Sequence, residues 1–179
     1  GVDYPVLEIG ESCFSGCSEM TSVFVPTGIT EVGSHAFENC TALSSVSLPK
    51  GLTKTGESVF CNCTALTSLH LPEGITSGDM LGGLKLKTLE LPSTFAVVGG
   101  TQWTKSWTVS ESITVEPGNQ VFGSKDGMLM SVSGKVLEKA LNKQHVKIPE
   151  GTESVENNAF FRCDEVRTVV IPEGCVVTE

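Results

Sequence analysis

Seven short segments of the chain alternate apolar and variable residues, and a proline follows each of them directly or after one intervening residue. They span residues 23–25, 46–48, 69–71, 89–91, 113–115, 146–148 and 169–171. A period of two predicts a short β-strand with one buried face. Proline ends such a strand because it has no N–H to donate to the hydrogen-bond ladder. The pattern therefore predicts seven short strands at recurring positions.

The prolines that follow these segments measure the length of one repeat. Successive ones are separated by 23, 23, 20, 25, 32 and 23 residues. They are Pro26, Pro49, Pro72, Pro92, Pro117, Pro149 and Pro172. A recurring interval of about 23 residues indicates a solenoid, in which each turn covers the apolar face of the next.

A second block recurs between the strands, with a phenylalanine followed three residues later by a cysteine. The pairs are Phe14 and Cys17, Phe37 and Cys40, Phe60 and Cys63, and Phe160 and Cys163. Residues three apart lie on the same face of a helix. We therefore expect one short helical or 3₁₀ turn in each repeat. The phenylalanines and cysteines of successive turns would then form internal ladders, with the thiols buried as small apolar groups.

The spacing divides a single domain, residues 1–179, into regular and irregular repeats. Repeats are regular at 6–72 and 150–172, and irregular at 73–149. The turn ending at Pro92 is three residues short, and the turn ending at Pro149 is nine residues long. Within that long turn, two short runs flank Ser133 and Gly134, which predicts a β-hairpin insertion near 128–138.

Residues 29–49 carry the pattern Ile-Thr-Glu-Val-Gly-x-x-Ala-Phe-x-x-Cys-x-x-Leu-x-x-Val-x-Leu-Pro, and 50–72 and 150–172 follow the same template. This pattern resembles the BspA-like leucine-rich-repeat family. The resemblance implies an α/β-type, right-handed leucine-rich-repeat superhelix of about seven turns, with short parallel strands. It also implies a surface-exposed or secreted protein, commonly from host-associated bacteria or protist parasites. Some members of the family are adhesins for host matrix proteins or other cells.

Composition narrows the range of partners. The formal net charge of -9 argues against nucleic acid as the main partner, because phosphate binding needs clustered Lys and Arg. No apolar run approaches the roughly 18 residues that span a bilayer, so we expect no direct membrane insertion in this segment. Neither end carries the polar capping turn that repeat arrays need. We therefore expect either a fragment of a longer protein or self-association through uncapped ends.

Seven cysteines leave at least one without a partner in the chain. The sequence leaves open whether neighbouring ladder cysteines form a disulfide, because stacked Cα atoms about 5 Å apart permit one. Cys13 occupies the small position that alanine fills in other blocks, so we expect it to be buried. Cys175 is the predicted exposed thiol. Cys61 and Cys63 lack the Cys-x-x-Cys spacing of zinc and redox sites, and we expect no metal and no cofactor.

Two columns of variable residues should lie on the exposed side of the strands. The first is Phe24, Ser47, His70, Glu90, Thr114, Lys147 and Val170. The second is Ser22, Ser45, Ser68, Thr88, Ser112, His145 and Thr168. Small hydroxyl side chains suit an ordinary solvated sheet, and they also suit a shallow polar groove for an extended peptide or glycan. The mixed chemistry of the first column fits either a surface that recognises a ligand or unconstrained sequence variation at solvent-exposed positions.

Trp103 and Trp107 lie four residues apart in a turn that has lost its Phe/Cys block. They would fill the vacated core space, form an aromatic platform for a sugar ring or partner side chain, or pack against another copy. Both remain candidate ligand contacts at this stage, together with Phe24, Ser47, His70, Glu90, Thr114 and Lys147.

Catalytic motifs are missing from the sequence. The three histidines fall in different turns, and there is neither a phosphate-binding loop nor a Gly-x-Ser-x-Gly nucleophile motif. We therefore predict a non-catalytic, extracellular or cell-surface binding and adhesion scaffold. Its ligand would be a protein or glycan on host or neighbouring cells, bound by the sheet face or the irregular central turns. The alternatives are a structural spacer that holds another domain off the cell surface and an enzyme.

Overall fold

A computed structural model describes residues 6–101 and 105–177 and shows a β-solenoid of about seven turns. In chain order its strands are β1 (Glu8–Ile9), β2 (Ser22–Phe24), β3 (Glu31–Val32), β4 (Ser45–Ser47), β5 (Lys54–Thr55), β6 (Ser68–His70), β7 (Lys85–Leu91), β8 (Thr108–Val115), β9 (Phe122–Lys125), β10 (Met128–Ser131), β11 (Val136–Lys139), β12 (His145–Lys147), β13 (Ser154–Val155), β14 (Thr168–Val170) and β15 (Val176–Val177). The predicted repeat solenoid with short parallel strands is thereby confirmed.

One side of the solenoid is formed by the strands that the alternating pattern predicts. They pair in parallel as β2–β4, β6–β7–β8 and β12–β14. Alternate residues of these strands, most of them apolar, point inwards, as Leu69 and Ile113 do, with 4% and 0% of their surface exposed. We call the outward side of these seven strands the strand face.

A second set of short strands follows the glycine turn of each repeat. Strands β1, β3 and β5 form one parallel sheet. In the other, the order is β15-β13-β11-β10-β9, with parallel pairing from β11 to β15. Each regular turn therefore contributes one strand to the strand face and one to this second side, whereas the two turns between β6 and β8 have only an isolated bridge, Ser77 with Val97, on the second side.

The Phe/Cys blocks differ from the prediction, because they form consecutive tight turns rather than helical turns. Residues at two positions of each block have positive φ, as at His35 (57°) and Asn39 (59°), and a right-handed helix cannot contain them. Backbone N–H groups alternate between local and cross-turn acceptors. Glu38 donates to the His35 carbonyl at 3.0 Å, whereas Phe37 donates to Val59 of the next turn at 2.9 Å. Bonds to the next turn thus replace the helical hydrogen bonds.

A glycine opens the first three Phe/Cys blocks, at Gly10, Gly33 and Gly56, and at the last two of these adjacent turns approach closely. A Cβ atom on Gly33 would lie 2.5 Å from the Glu11 nitrogen, and one on Gly56 would collide with the backbone of Ser34. The same template position is occupied by Gly10 in the first described turn, where a Cβ atom would meet nothing within 4 Å. Close stacking of turns, rather than turn conformation, therefore requires glycine at Gly33 and Gly56.

The irregular centre contains the one 3₁₀ helix found among the described residues, Asp79–Leu81. It lies in the shortened turn, where the Phe/Cys block is missing. The hairpin insertion is confirmed, with β10 and β11 antiparallel. A further antiparallel strand, β9, was not predicted and makes the insertion a three-stranded meander. Its tip reaches the strand face, where the Ile113 N–H donates to the Gly127 carbonyl at 2.7 Å.

Stacked aromatic rings fill the core of the regular repeats. Phe37 lies between Phe14 and Phe60, with ring centroids 5.3 and 5.4 Å apart and nearly parallel planes. In the centre this regular stack gives way to a tilted pair, Phe95 and Phe122, 5.8 Å apart. The predicted phenylalanine ladder is therefore present in the first three described turns.

Candidate binding surfaces

The first predicted column lies on the strand face with its residues in register. Phe24 is paired with Ser47, His70 with Glu90, Glu90 with Thr114, and Lys147 with Val170. All seven residues of the column are exposed. Parallel strands stand about 4.8 Å apart, so adjacent members of each paired group can contact one ligand together.

A cross-strand contact between a histidine and a carboxylate lies within this column. His70 Nδ1 is 2.9 Å from Glu90 Oε2, and the two side chains are 54% and 62% exposed. Exposed ion pairs contribute little to stability, typically below about 1 kcal/mol. A ligand could therefore displace this contact at small cost.

The second column is likewise in register. Ser22 is paired with Ser45, and Thr88 lies between Ser68 and Ser112. At the far end, His145 Nδ1 lies 2.7 Å from the Thr168 hydroxyl. The column thus places hydroxyl groups, which both donate and accept hydrogen bonds, beside the chemically mixed first column.

Trp107 is a core residue, so it presents no surface to a ligand. Its side chain is fully buried, and its Nε1–H donates to the Val98 carbonyl at 3.3 Å. Of the three alternatives that the sequence left open, Trp107 therefore fills core space. It is no longer a candidate ligand contact. Trp103 lies outside the described residues.

Lys139 is a buried cation packed on Trp107. Its Nζ donates to the carbonyls of Lys105 at 3.0 Å and Phe161 at 3.3 Å, and it lies 5.2 Å from the Trp107 ring centroid. Burial lowers the pKa of Lys139 to about 8. These contacts join β11 of the meander to the turn before it and the turn after it, which indicates a structural role for Lys139.

All seven cysteines are free thiols. The Cys40 thiol donates to the Phe14 carbonyl at 3.2 Å, and the Cys63 thiol donates to the Phe37 carbonyl at 3.1 Å. Burial raises the pKa of both thiols, that of Cys63 to about 12. Because the thiolate is the nucleophile, this environment disfavours reactivity and fits a structural ladder.

Three expectations about individual thiols were wrong. Cys13 was expected to be buried and Cys17 to belong to a buried ladder, yet both are exposed. They belong to the first turn that the structure describes, where no described turn stacks on their outer side. Cys175, the predicted exposed thiol, is half-buried and packs against the core.

A cleft among the Phe/Cys blocks was missed by the sequence analysis. Its lining includes His35, Glu38, Glu57 and Cys61 from two adjacent turns, and Arg162 from a turn far along the chain. The signal that could have revealed it is the shortened turn with its Gly82-Gly83 pair, because a missing block leaves space in a stack of otherwise equal turns. Burial and the charge of Glu38 raise the pKa of Cys61, so its thiol is not activated as a nucleophile.

The described ranges, 6–101 and 105–177, contain neither a cluster of metal-ligand side chains nor a helix that could cross a membrane. There, no three or more His, Cys, Asp or Glu side chains are grouped so as to hold a metal ion. The same ranges contain no helix with the length and apolar character needed to cross a membrane.

The repeat pattern matches a known family model, the BspA type leucine-rich repeat region, in six copies over residues 2–109 and 129–179. The chain belongs to the BspA-type leucine-rich-repeat family. The match is interrupted at 110–128, which includes the first strand of the meander. No curated protein sequence matches the chain.

Solved structures of bacterial leucine-rich-repeat proteins share the fold. A protein from Eubacterium ventriosum has a TM-score of 0.73 and 20% identity, over 96% of this chain and 46% of that one. The pneumococcal vaccine antigen PcpA has a TM-score of 0.66 and 19% identity, over 95% of this chain and 57% of that one. The T. pallidum leucine-rich-repeat protein TpLRR has a TM-score of 0.54 and 21% identity, over 94% of this chain and 65% of that one. The chain thus spans about half to two thirds of the length of these proteins.

Proposed function

We propose that this BspA-type chain is a non-catalytic binding and adhesion module, located at the cell surface or outside the cell. It recognises a protein or glycan on host or neighbouring cells through its strand face. The observation that carries the proposal is the in-register, exposed column of chemically different side chains beside a column of hydroxyl groups. Extended sheet surfaces of this kind are where solenoid proteins bind their partners.

The middle of the strand face is the favoured contact region. Strands β6, β7 and β8 form its longest continuous sheet and bring together an imidazole, a carboxylate and a hydroxyl at His70, Glu90 and Thr114. Side chains on paired strands are held by a rigid backbone, so they lose little conformational freedom on binding. The neighbouring hydroxyls of Thr88 and Ser112 extend this polar surface.

The chemistry of the thiols supports a role without catalysis. A nucleophilic cysteine needs a lowered pKa, whereas burial raises the pKa of Cys40, Cys61, Cys63 and Cys163. A family that is often surface-associated supports the extracellular location.

The test is an interaction screen of the fluorescently labelled protein against a glycan array and a panel of host matrix proteins. We expect at least one saturable ligand whose binding falls at least tenfold in the triple variant His70→Ala/Glu90→Ala/Lys147→Ala. The matched control, Thr27→Ala/Glu31→Ala/Lys54→Ala, also changes three exposed or half-exposed residues, in strands β3 and β5 of the second side and in the loop after β2, and should bind normally.

Two results would overturn the proposal. Equal binding by both triple variants would remove the strand face as the site. Absence of binding to every member of both panels would favour the structural spacer instead.

A further inference from the structure

Two Asn-x-Thr triplets lie in the Phe/Cys blocks, Asn39-Cys40-Thr41 and Asn62-Cys63-Thr64. No other Asn-x-Ser or Asn-x-Thr triplet occurs in the chain. This triplet is the acceptor motif for N-linked glycans when its middle residue is not proline, and it is used in surface loops of secreted proteins. Both triplets lie outside the strands of the strand face, so they concern a different part of the molecule from the ligand proposed above.

The backbone of the block does not by itself require the residues of the triplet. Gly16 and Arg162 occupy the template position of Asn39, and both have positive φ, 79° and 61°, as Asn39 does at 59°. Two positions after them lie Ser18 and Asp164, whereas threonine follows both asparagines. The stacked turns therefore accept other residues at both positions, and in the blocks asparagine and threonine occur only together.

The side chains of both triplets are accessible. Asn39, Thr41, Asn62 and Thr64 are exposed, whereas the cysteine at the centre of each triplet is buried. The amide that receives a sugar and the hydroxyl that completes the motif are therefore both in contact with solvent.

The first triplet is the better acceptor, because its polar groups are not engaged. Asn62 Nδ2 donates to Asn39 Oδ1 at 2.8 Å, and the Thr64 hydroxyl donates to the Thr41 carbonyl at 3.3 Å. In the part of the chain that the structure describes, neither Asn39 Nδ2 nor the Thr41 hydroxyl has a protein partner of this kind.

Space is also available beside Asn39. The adjacent turn on its outer side has Gly16 at the same template position, and a Cβ atom on Gly16 would meet nothing within 4 Å. A bulky group on the Asn39 amide therefore meets no side chain at the equivalent position of that turn.

We propose that Asn39 is a site of N-linked glycosylation and that Asn62 is the poorer acceptor. The donor is a sugar activated as a diphosphate ester, carried by a lipid or by a nucleotide. The bond from the anomeric carbon to the diphosphate oxygen breaks and a bond from that carbon to Asn39 Nδ2 forms. One proton leaves Nδ2, and the diphosphate is the leaving group. The lipid-linked route rests on the extracellular location proposed above, because that transfer takes place during secretion.

The test has one arm for each donor. In the first, the chain is secreted from eukaryotic cells, which transfer glycans from a lipid carrier. In the second, the unglycosylated, folded chain is incubated with a soluble N-glycosyltransferase and UDP-glucose. Peptide mass spectrometry measures the glycosylated fraction of each asparagine. We expect a glycan on Asn39 in at least one arm, with at least twofold higher occupancy than on Asn62, and each positive arm identifies a donor that the site accepts.

Two variants of one residue separate the motif from effects on folding. Thr41→Ala keeps the Asn39 amide but removes the triplet, and should lower the occupancy of Asn39 at least tenfold. Thr41→Ser restores a hydroxyl and should retain the glycan. Both variants should fold as the parent chain does, because the Thr41 side chain is exposed and only its backbone carbonyl accepts from Thr64. Circular dichroism checks this.

Three results would overturn the proposal: an unmodified Asn39 in both arms, a glycan retained in Thr41→Ala, or occupancy of Asn62 equal to or above that of Asn39. Failure here would leave the strand-face proposal intact, because its binding screen uses different residues.

Discussion

The regular repeats at 6–72 and the irregular centre at 73–149 are stabilised in different ways. In the regular region, contacts between turns repeat at the length of one turn. The Asn62 side-chain amide donates to the Asn39 side-chain oxygen at 2.8 Å, and the Glu57 N–H donates to the Ser34 hydroxyl at 3.1 Å. Both bonds span 23 residues, the interval between the prolines. One template therefore specifies every contact in this region.

In the centre, the buried polar contacts between turns do not share one spacing. Asn119 donates to the Phe95 carbonyl across 24 residues, and Lys139 donates to the Lys105 carbonyl across 34. These bonds join buried polar groups in pairs that occur once each. Regular turns are therefore held together by the same hydrogen bonds at the same template positions, whereas the insertion is held in place by individual buried polar groups.

The largest effect is expected from the middle of the phenylalanine stack. Phe37→Ala removes a ring that is 1% exposed and stacked on both sides, and should destabilise the protein by about 3–5 kcal/mol. Phe14→Ala is the matched control. Its ring is 39% exposed and should cost about 1–2 kcal/mol. Urea denaturation followed by circular dichroism measures both, and equal losses would show that the stack is not the main support of the regular region.

The next effect compares two asparagines, one from each region. Asn119 is buried, donates to the Pro92 and Phe95 carbonyls, and accepts from two backbone N–H groups at 2.8 Å. Asn119→Ala leaves these groups unpaired and should cost about 2–4 kcal/mol. Asn62→Gly removes one exposed bond without backbone strain, because glycine accepts the positive φ, and should cost less than about 1 kcal/mol. Similar losses in urea titrations would contradict the distinction between shared geometry and single anchors.

A smaller effect concerns the close approach of turns in the regular region. Gly56→Ala forces a Cβ atom into the backbone of the preceding turn and should cost about 2 kcal/mol. Gly10→Ala, at the same template position but with open space around it, should stay within about 0.5 kcal/mol of the parent chain. Thermal unfolding by calorimetry measures both. A tolerated Gly56→Ala would mean that the turns can separate at little cost.

The smallest effect is the pH dependence contributed by Lys139. Its folded pKa is about 8 and its ordinary value is 10.5, so above pH 8 the unfolded chain binds more protons there. The destabilisation is fully present below pH 8 and is relieved as the pH rises towards 10.5, by about 1–3 kcal/mol.

The measurement is the stability of the parent chain relative to Lys139→Met at pH 7 and pH 10. Lys139 and Cys163 interact electrostatically, so both proteins should carry Cys163→Ala. The stability of the parent chain relative to that of Lys139→Met should increase as the pH rises. A constant difference between the two would show that the Lys139 ammonium is well solvated in the folded state.

Much of the fold was predictable because its signals are local and repeated. Proline and the period of two locate the strands of the strand face, and the in-register columns follow because each strand holds the same place in its turn, although the turns differ in length. The helical interpretation of the Phe/Cys block was wrong, because spacing three apart suits a helix and a pair of tight turns equally. Asn39 and Asn62 tolerate positive φ and were the available hint.

The cleft and the buried lysine could not be predicted in the same way. Lys139 lies two residues after Leu137 in β11 and shares its buried face, but a lysine would ordinarily be placed in solvent. Its burial depends on Trp107 and on carbonyls of two other turns. The cleft depends on which side chains are left without a neighbour when one block is missing. Both depend on groups that are distant in the chain.

By itself, the sequence determined the solenoid, its period and its family, because a short motif repeated at one interval specifies both the strands and the stacking. The tertiary structure alone decided which thiols are buried, that Trp107 is core, and that Glu38, Glu57 and Arg162 line one cleft. The physical reason is that burial and electrostatic environment depend on what stacks on each turn. At the irregular centre, the repeat no longer specifies that neighbour.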